Sequence, residues 1–216
     1  MRSAALFDMD HTLVSANSAL LYVKWLRGRG EARRRDAARF GWWFMRYMAG
    51  SLDAAGIART ALLPLAGRDA DRFAREVEDW AAAEVVPFIA SRARAVVAAR
   101  QARGEVCAVL TSSTGYVAKP VAEALGIAHV LATRLAARDG LLTGAVEEPF
   151  CFGRSKVTVA RRWAAEHDVD LARSAFYTDS ITDLPMLEAV GEPVVVNPDP
   201  RLRWTAWRRG WPTERW

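Results

Sequence analysis

An open α/β fold built around a parallel sheet is the class this sequence predicts, on three observations. Short apolar runs occur at Ala4 to Phe7, Val106 to Leu110, His129 to Ala132, Ala175 to Tyr177 and Val194 to Val196, the pattern of strands buried on both faces. Helix-length segments separate most of these runs, as crossover connections between parallel strands require. Acidic or hydroxyl residues stand just past the runs: Asp8 after the first, Thr111 after the second and Asp179 after the fourth. Open α/β sheets bind ligands at those carboxyl ends.

The alternation is interrupted between Val14 and Pro87, where no strand-like run occurs and the chain reads as inserted helices. Phe73, Val77 and Trp80 recur at helical spacing among Asp71, Arg75, Glu76, Glu78 and Asp79; this predicts an amphipathic helix with one face to bury. After the second strand, Thr111, Ser112, Ser113 and Thr114 precede a helix predicted over Val117 to Leu125. Asp139-Gly140 between two apolar runs predicts a β-hairpin beside the sheet. A helix is expected from about Lys156 through His167, and another from Leu184 and Pro185 with Asp183 as its N-cap. Near the C-terminus, Trp204 and Trp207 have helical spacing suited to packing on the sheet.

With 216 residues, 51% of them hydrophobic, the chain can bury a sizeable core and is not a disordered segment. It fits one ordinary domain or a core with a smaller insert. The net charge is +5, and because Lys24, Lys119 and Lys156 are the only lysines, arginine carries nearly all the positive charge. This balance favours anionic partners without choosing among phosphorylated metabolites, nucleic acid and membrane surfaces. Cys107 and Cys151 are far apart in apolar surroundings and read as buried thiols of a reducing compartment. The apolar stretch before Asp8 is too short for a signal peptide and no later run could span a bilayer. A cytoplasmic protein without stable membrane insertion is expected. RFGWWFMRYM could lie at a membrane interface and WTAWRRGWPTERW could stack on nucleic acid; as the packing surfaces of small helices they need no such partner, and nucleic acid is not expected.

Asp8 and Asp10 flank Met9 at the end of a strand, so a turn must bring both carboxylates to one site. Two acids so close call for a bound metal or for one acid kept protonated, and an enzyme using one as nucleophile and the other as general acid wants both. FYTDSITDLPML adds Asp179 and Asp183, hard oxygen donors of the kind that suit magnesium. The hydroxyls from Thr111 to Thr114 read either as helix caps or as an anion site at a helix N-terminus. Lys156 faces the positive end of its helix dipole, a placement that nearby carboxylates or a phosphate would explain and that an exposed, frayed first turn would tolerate.

Four segments, in order and over most of the chain, resemble the motifs of the haloacid dehalogenase superfamily of phosphohydrolases. They are DMDHTL, Thr111 in VLTSS, Lys156 in GRSK, and Asp179 with Asp183 in TDSITD. The insert after the first motif and the ending EPVVVNPDPRLR are similar to subfamily IB, the phosphoserine-phosphatase-like branch. The resemblance implies a Rossmann-like core over residues 1–14 and 88–216 and a helical cap over residues 15–87. It implies Asp8 as nucleophile, Asp10 as general acid and base, and Mg2+ held by Asp8, the Asp10 main-chain carbonyl and Asp179, with Asp183 in support. Thr111 and Lys156 would bind phosphoryl oxygens, with Ser112 beside them. Thr178 stands where the family commonly has glycine, and Asn17 stands where phosphoserine phosphatases carry a glutamate for the substrate ammonium. Phosphoserine is therefore not the expected substrate, and Arg59 is a candidate contact for an anionic substrate group. The expected activity is magnesium-dependent hydrolysis of a small phosphorylated metabolite. Phosphotransfer to another acceptor and a membrane-associated lipid-phosphate phosphatase are the alternatives.

Overall fold

The computed structural model describes residues 1–31 and 62–216. RFGWWFMRYM and Arg59 lie outside the described residues. In chain order the described elements begin with β1 (Ala4–Phe7), α1 (Ser18–Gly28), α2 (Ala70–Glu84), α3 (Ser91–Ala102), β2 (Val106–Thr114), α4 (Gly115–Ala124) and β3 (His129–Thr133). They continue with β4 (Leu135–Arg138), β5 (Leu141–Val146), α5 (Arg154–Glu166), β6 (Ala175–Thr178), α6 (Leu184–Leu187), β7 (Glu192–Val196), α7 (Pro200–Arg209) and β8 (Thr213–Glu214).

Six strands form one sheet in the order β3-β2-β1-β6-β7-β8, and every neighbouring pair is parallel. β1 lies in the interior of this sheet with all four residues buried. Strand alternation divides the core into two layers. Ala5, Phe7, Val109, Tyr177 and Val194 join α2, α3 and α4 through Phe73, Val77, Val97 and Val121 on one face. Ala4, Leu6, Ala108, Phe176 and Val195 join α5, α6 and α7 through Ala160, Trp163, Met186 and Leu202 on the other. Full burial of each large apolar side chain contributes roughly 1.5–3 kcal/mol, and Phe7 stacks on Tyr177 with ring centroids 4.7 Å apart.

α2 has the predicted amphipathic form. Asp69 caps it by accepting from the Arg72 amide, and Phe73, Val77 and Trp80 are buried. Phe73 meets Tyr116 of α4 edge to face, while Trp80 contacts Tyr22 and Trp25 of α1. The aromatic contacts thus tie two described helices of the insert to each other and to the core.

The expected hairpin β4–β5 forms, as a two-stranded antiparallel sheet of its own. It bonds to the segment leading into α2 through Gly67 N to Leu142 O and Leu142 N to Arg68 O, and to the first residue of α2 through Ala70 N to Gly140 O. Several expectations are corrected. β2 continues through Thr114, beyond its apolar run, because its pairing with β3 resumes at Thr114 and Thr133 after a register shift. β8 was not expected and is only two residues long; apolar patterning is too short there to signal a strand. Trp204 and Trp207 do not pack on the sheet: they are 58% and 77% exposed, and Leu202 and Ala206 supply the buried face of α7 instead. No described helix is long and apolar enough to cross a membrane.

The approach to β7 requires glycine at position 191. A Cβ there would stand 1.9 Å from the main-chain oxygen of Ala172, in a turn closed by Gly191 N donating to Leu171 O at 3.1 Å. Gly191→Ala is expected to destabilise the protein by about 1–3 kcal/mol in urea unfolding through forced backbone movement. An unchanged midpoint would show that the turn yields freely.

Candidate active site

The parallel register places the ends of β1, β2 and β6 side by side. Phe7 pairs with Val109 and with Tyr177, so Asp8, Thr111 and Asp179 all follow at one edge. Asp8 stays anchored to the sheet through its amide, which donates to Tyr177 O at 2.9 Å. The chain then turns: His11 takes a left-handed φ of 56°, and Met9 O accepts from Thr12 N at 3.3 Å and Val14 N at 3.0 Å. Asn197 holds this turn from the far side, donating from Nδ2 to His11 O at 3.0 Å. Strand alternation would leave residues 8 and 10 on one face; the turn redirects the chain toward α1 while Asp10 stays within electrostatic reach of Asp8.

Asp10 is received by the N-terminus of α1. Ser18 N donates to Oδ1 and Ser18 Oγ to Oδ2, each at 3.0 Å, where the helix dipole favours negative charge. Burial nevertheless raises the Asp10 carboxyl to about 6, against the pull of the Ser18 bonds. An acid so poised can hold or release a proton near neutrality.

At the other end of the site, α5 brings in Lys156. Its Nζ donates to Asp8 Oδ1 at 3.0 Å and to Asp183 Oδ2 at 2.7 Å, with Lys156 only 2% and Asp183 only 1% exposed. This accounts for a lysine in the first turn of a helix, since two carboxylates offset the unfavourable dipole. Gly153 precedes the helix at φ 53°, a backbone conformation that favours glycine. Asp8 Oδ2 makes no protein hydrogen bond among the described residues, so one oxygen of this carboxylate is fixed while the other is available.

Asp183 is not the side-chain cap expected for α6. It occupies the N-cap position without a capping bond, and its Oδ2 instead accepts from both Lys156 and Thr178 Oγ1, the latter at 2.8 Å. A buried ion pair outcompetes a cap here because an unpaired buried lysine would be far more costly. The phosphate-loop expectation also changes in form. Thr111 is buried within β2 and its hydroxyl accepts from Ser113 N at 3.1 Å, so it stands in a strand, four residues before the start of α4 at Gly115. Ser112 is exposed, with its carbonyl accepting from Thr133 Oγ1. Asn17 is the N-cap of α1, its Oδ1 accepting from Leu20 N at 3.0 Å. Two residues escaped sequence reasoning. Thr178 enters the sequence reading only as a replacement for glycine, and Ser18 does not enter it; a hydroxyl at the first position of a helix following two acids is the available signal.

Electrostatically, the site holds more carboxylate than cation. Burial pushes Asp8 up to about 7 despite Lys156, with repulsion from Asp183 and Asp10 adding to it. Burial, then repulsion from Asp8 and Asp183, raises Asp179 to about 9. Lys156 goes above its ordinary range because the charges of Asp183 and Asp8 outweigh its burial. An all-oxygen donor set with surplus negative charge fits a hard divalent cation. Among the described residues no three His, Cys, Asp or Glu side chains converge to hold an ion alone.

Comparison with known proteins points the same way. A model of the haloacid dehalogenase-like hydrolase family matches residues 5–188. A probable phosphatase of Mycobacterium tuberculosis is 36% identical over 98% of this chain and 74% of its own length. A histidinol-phosphatase of Neisseria meningitidis is 31% identical over 98% of both chains. A solved structure from Bordetella pertussis, of unknown function, superposes with a TM-score of 0.88 at 34% identity, covering 99% of this chain and 98% of that one.

The raised carboxyls make stability depend on pH. Asp179 binds a proton in the folded state up to about pH 9 but loses it near its ordinary value when unfolded, so its contribution is present at low pH and lost as pH rises toward 9. His11 and His129, lowered by burial, act in the opposite sense and mostly below pH 7. In metal chelator, stability is expected to fall between about pH 7 and pH 9, by on the order of 1 kcal/mol more in the wild type than in Asp179→Asn. Parallel urea-midpoint curves for the two proteins would contradict this.

Proposed function

The chain belongs to the haloacid dehalogenase-like hydrolases and is a phosphatase, and we propose that it hydrolyses a phosphomonoester of a small metabolite through Asp8, with Mg2+ as cofactor. The observation that carries this reading is the Lys156 bridge between Asp8 and Asp183. It fixes one oxygen of Asp8, leaves the other available, and sets a buried positive charge where phosphoryl oxygens would collect. Asp8 Oδ2 attacks phosphorus, the bond to the ester oxygen breaks, and an acyl phosphate forms on Asp8. Asp10, whose carboxyl burial raises to about 6 so that it can still carry a proton near neutrality, gives that proton to the departing alkoxide. It then takes a proton from the water that attacks phosphorus, which releases phosphate and restores Asp8.

Lys156 and Thr111 stabilise charge on the transferring group, usually the largest catalytic contribution. Asp8, Asp179 and the Asp10 carbonyl would hold Mg2+, which supplies a positive centre against phosphoryl charge. Asp183 acts through Lys156. Residues 15–87 are the cap that selects the alcohol portion, and residues 1–14 with 88–216 are the core. Histidinol phosphate heads the candidate substrates because the Neisseria relative matches both chains almost end to end. Asn17 is neutral and its oxygen caps α1, so it supplies no counter-charge to a substrate ammonium; histidinol phosphate carries that group as phosphoserine does, and its priority rests on the relative alone. Transfer to an alcohol acceptor differs only in what attacks the acyl phosphate, and added alcohols distinguish it from hydrolysis.

Asp8→Asn is expected to abolish Mg2+-dependent phosphate release from any phosphomonoester while keeping a folded, native-like circular dichroism spectrum, since the amide is nearly isosteric and Asp183 still pairs with Lys156. Measurable turnover in that variant would remove Asp8 as nucleophile. Asp10→Asn should slow an alkyl phosphate by about 10²-fold or more, and an aryl phosphate, whose leaving group needs little protonation, much less. Equal losses on both substrates would exclude Asp10 as the acid.

A further inference from the structure

α7 carries a surface that the proposed chemistry does not use. Its inward face is Leu202 and Ala206, both fully buried. At about 100° per residue, Trp204 and Trp207 fall together on the opposite face, with Arg203 on one flank and Arg208 and Arg201 on the other. All five of these side chains are exposed, and Trp207 is the most exposed large hydrophobic among the described residues. The guanidinium of Arg208 lies 4.7 Å from the centre of the Trp204 ring, so the aromatic and basic groups form one continuous patch.

The local acids are already engaged. Asp199 caps α7 through the amides of Arg201 and Leu202, Glu188 pairs with Arg209 and Glu214 pairs with Arg92. Among the described residues no acid forms an ion pair with Arg201, Arg203, Arg208 or Arg215. Arg203 and Arg215 also line a cavity of about 380 Å³ with Asn197, Pro198 and Thr213 beside the patch. Arg203 is held there by a bond to Pro198 O at 3.4 Å.

We propose that this face of α7 is a docking surface for an anionic lipid bilayer, with Trp204 and Trp207 entering the headgroup layer and the cavity of Arg203 and Arg215 receiving a lipid phosphate. A tryptophan stripe flanked on both sides by arginine is the arrangement of a helix lying in the interface plane, where indole rings are favoured. Lipid fits better than single-stranded nucleic acid, because base stacking needs open ring faces and Arg208 already covers one face of Trp204. The charge is complementary to anionic headgroups, with each arginine near such a surface strengthening binding about fivefold. The surface is independent of the catalytic reading: α7 contributes no group to the acid cluster.

The test is co-sedimentation of the purified chain with vesicles of phosphatidylcholine alone and of phosphatidylcholine mixed with phosphatidylglycerol. The expected result is binding to the anionic vesicles at about 0.1 M salt and its loss at about 0.5 M, with little binding to the neutral ones. Arg201→Gln/Arg203→Gln/Arg208→Gln should weaken it about a hundredfold. Trp204→Ser/Trp207→Ser should weaken it at least about tenfold. Both variants change exposed side chains and should keep the wild-type unfolding midpoint. Absence of binding to anionic vesicles, binding undiminished in either variant, or capture of a single-stranded oligonucleotide in preference to vesicles would each overturn the proposal.

Discussion

A single buried lysine organises this molecule. Lys156 reaches Asp8 at the end of β1 and Asp183 in the loop after β6, so it joins three parts of the chain that the parallel sheet brings to one edge. Removing such a charge from water costs several kcal/mol, and only well-placed opposite charges offset it. The neighbouring features follow from that requirement. Asp183 gives up a capping role, Thr178 supports the same carboxylate oxygen, and Gly153 takes the positive φ at the head of α5.

One lysine does not balance the acids around it. Asp8, Asp179 and Asp183 repel one another in a buried site, and raised carboxyls are the physical sign of that surplus. A divalent cation and a phosphoryl group would complement each other here, one answering the carboxylates and the other answering Lys156. Asp10 stays within electrostatic reach of Asp8 but has different partners, received by Ser18 at the head of α1 after the left-handed turn at His11. Two aspartates two residues apart are thereby given different surroundings, which is what different roles as nucleophile and acid require.

Much of this was legible in the sequence because apolar strands and chemically costly residues leave strong signals. The five long-enough strands, the acids beyond them and the misplaced lysine at a helix start could all be read in one dimension. What could not be read depended on competition between partners. Asp183 was a good cap until Lys156 claimed it, and Thr111 stood before a helix in sequence while β2 extended past it in space. Trp204 and Trp207 had the spacing of a buried stripe, but Leu202 and Ala206 provide the smaller surface that fits against the sheet. Periodicity identifies a face; shape and neighbours decide which face turns inward.

The central claim is that Asp8 carries the phosphoryl group in a covalent intermediate. Acid quenching during turnover, followed by borohydride reduction, converts an aspartyl phosphate to homoserine, which peptide mass spectrometry can assign to a position. The account predicts conversion at Asp8 and at no other aspartate. Conversion at Asp10, or none in a sample that is turning over substrate, would contradict it.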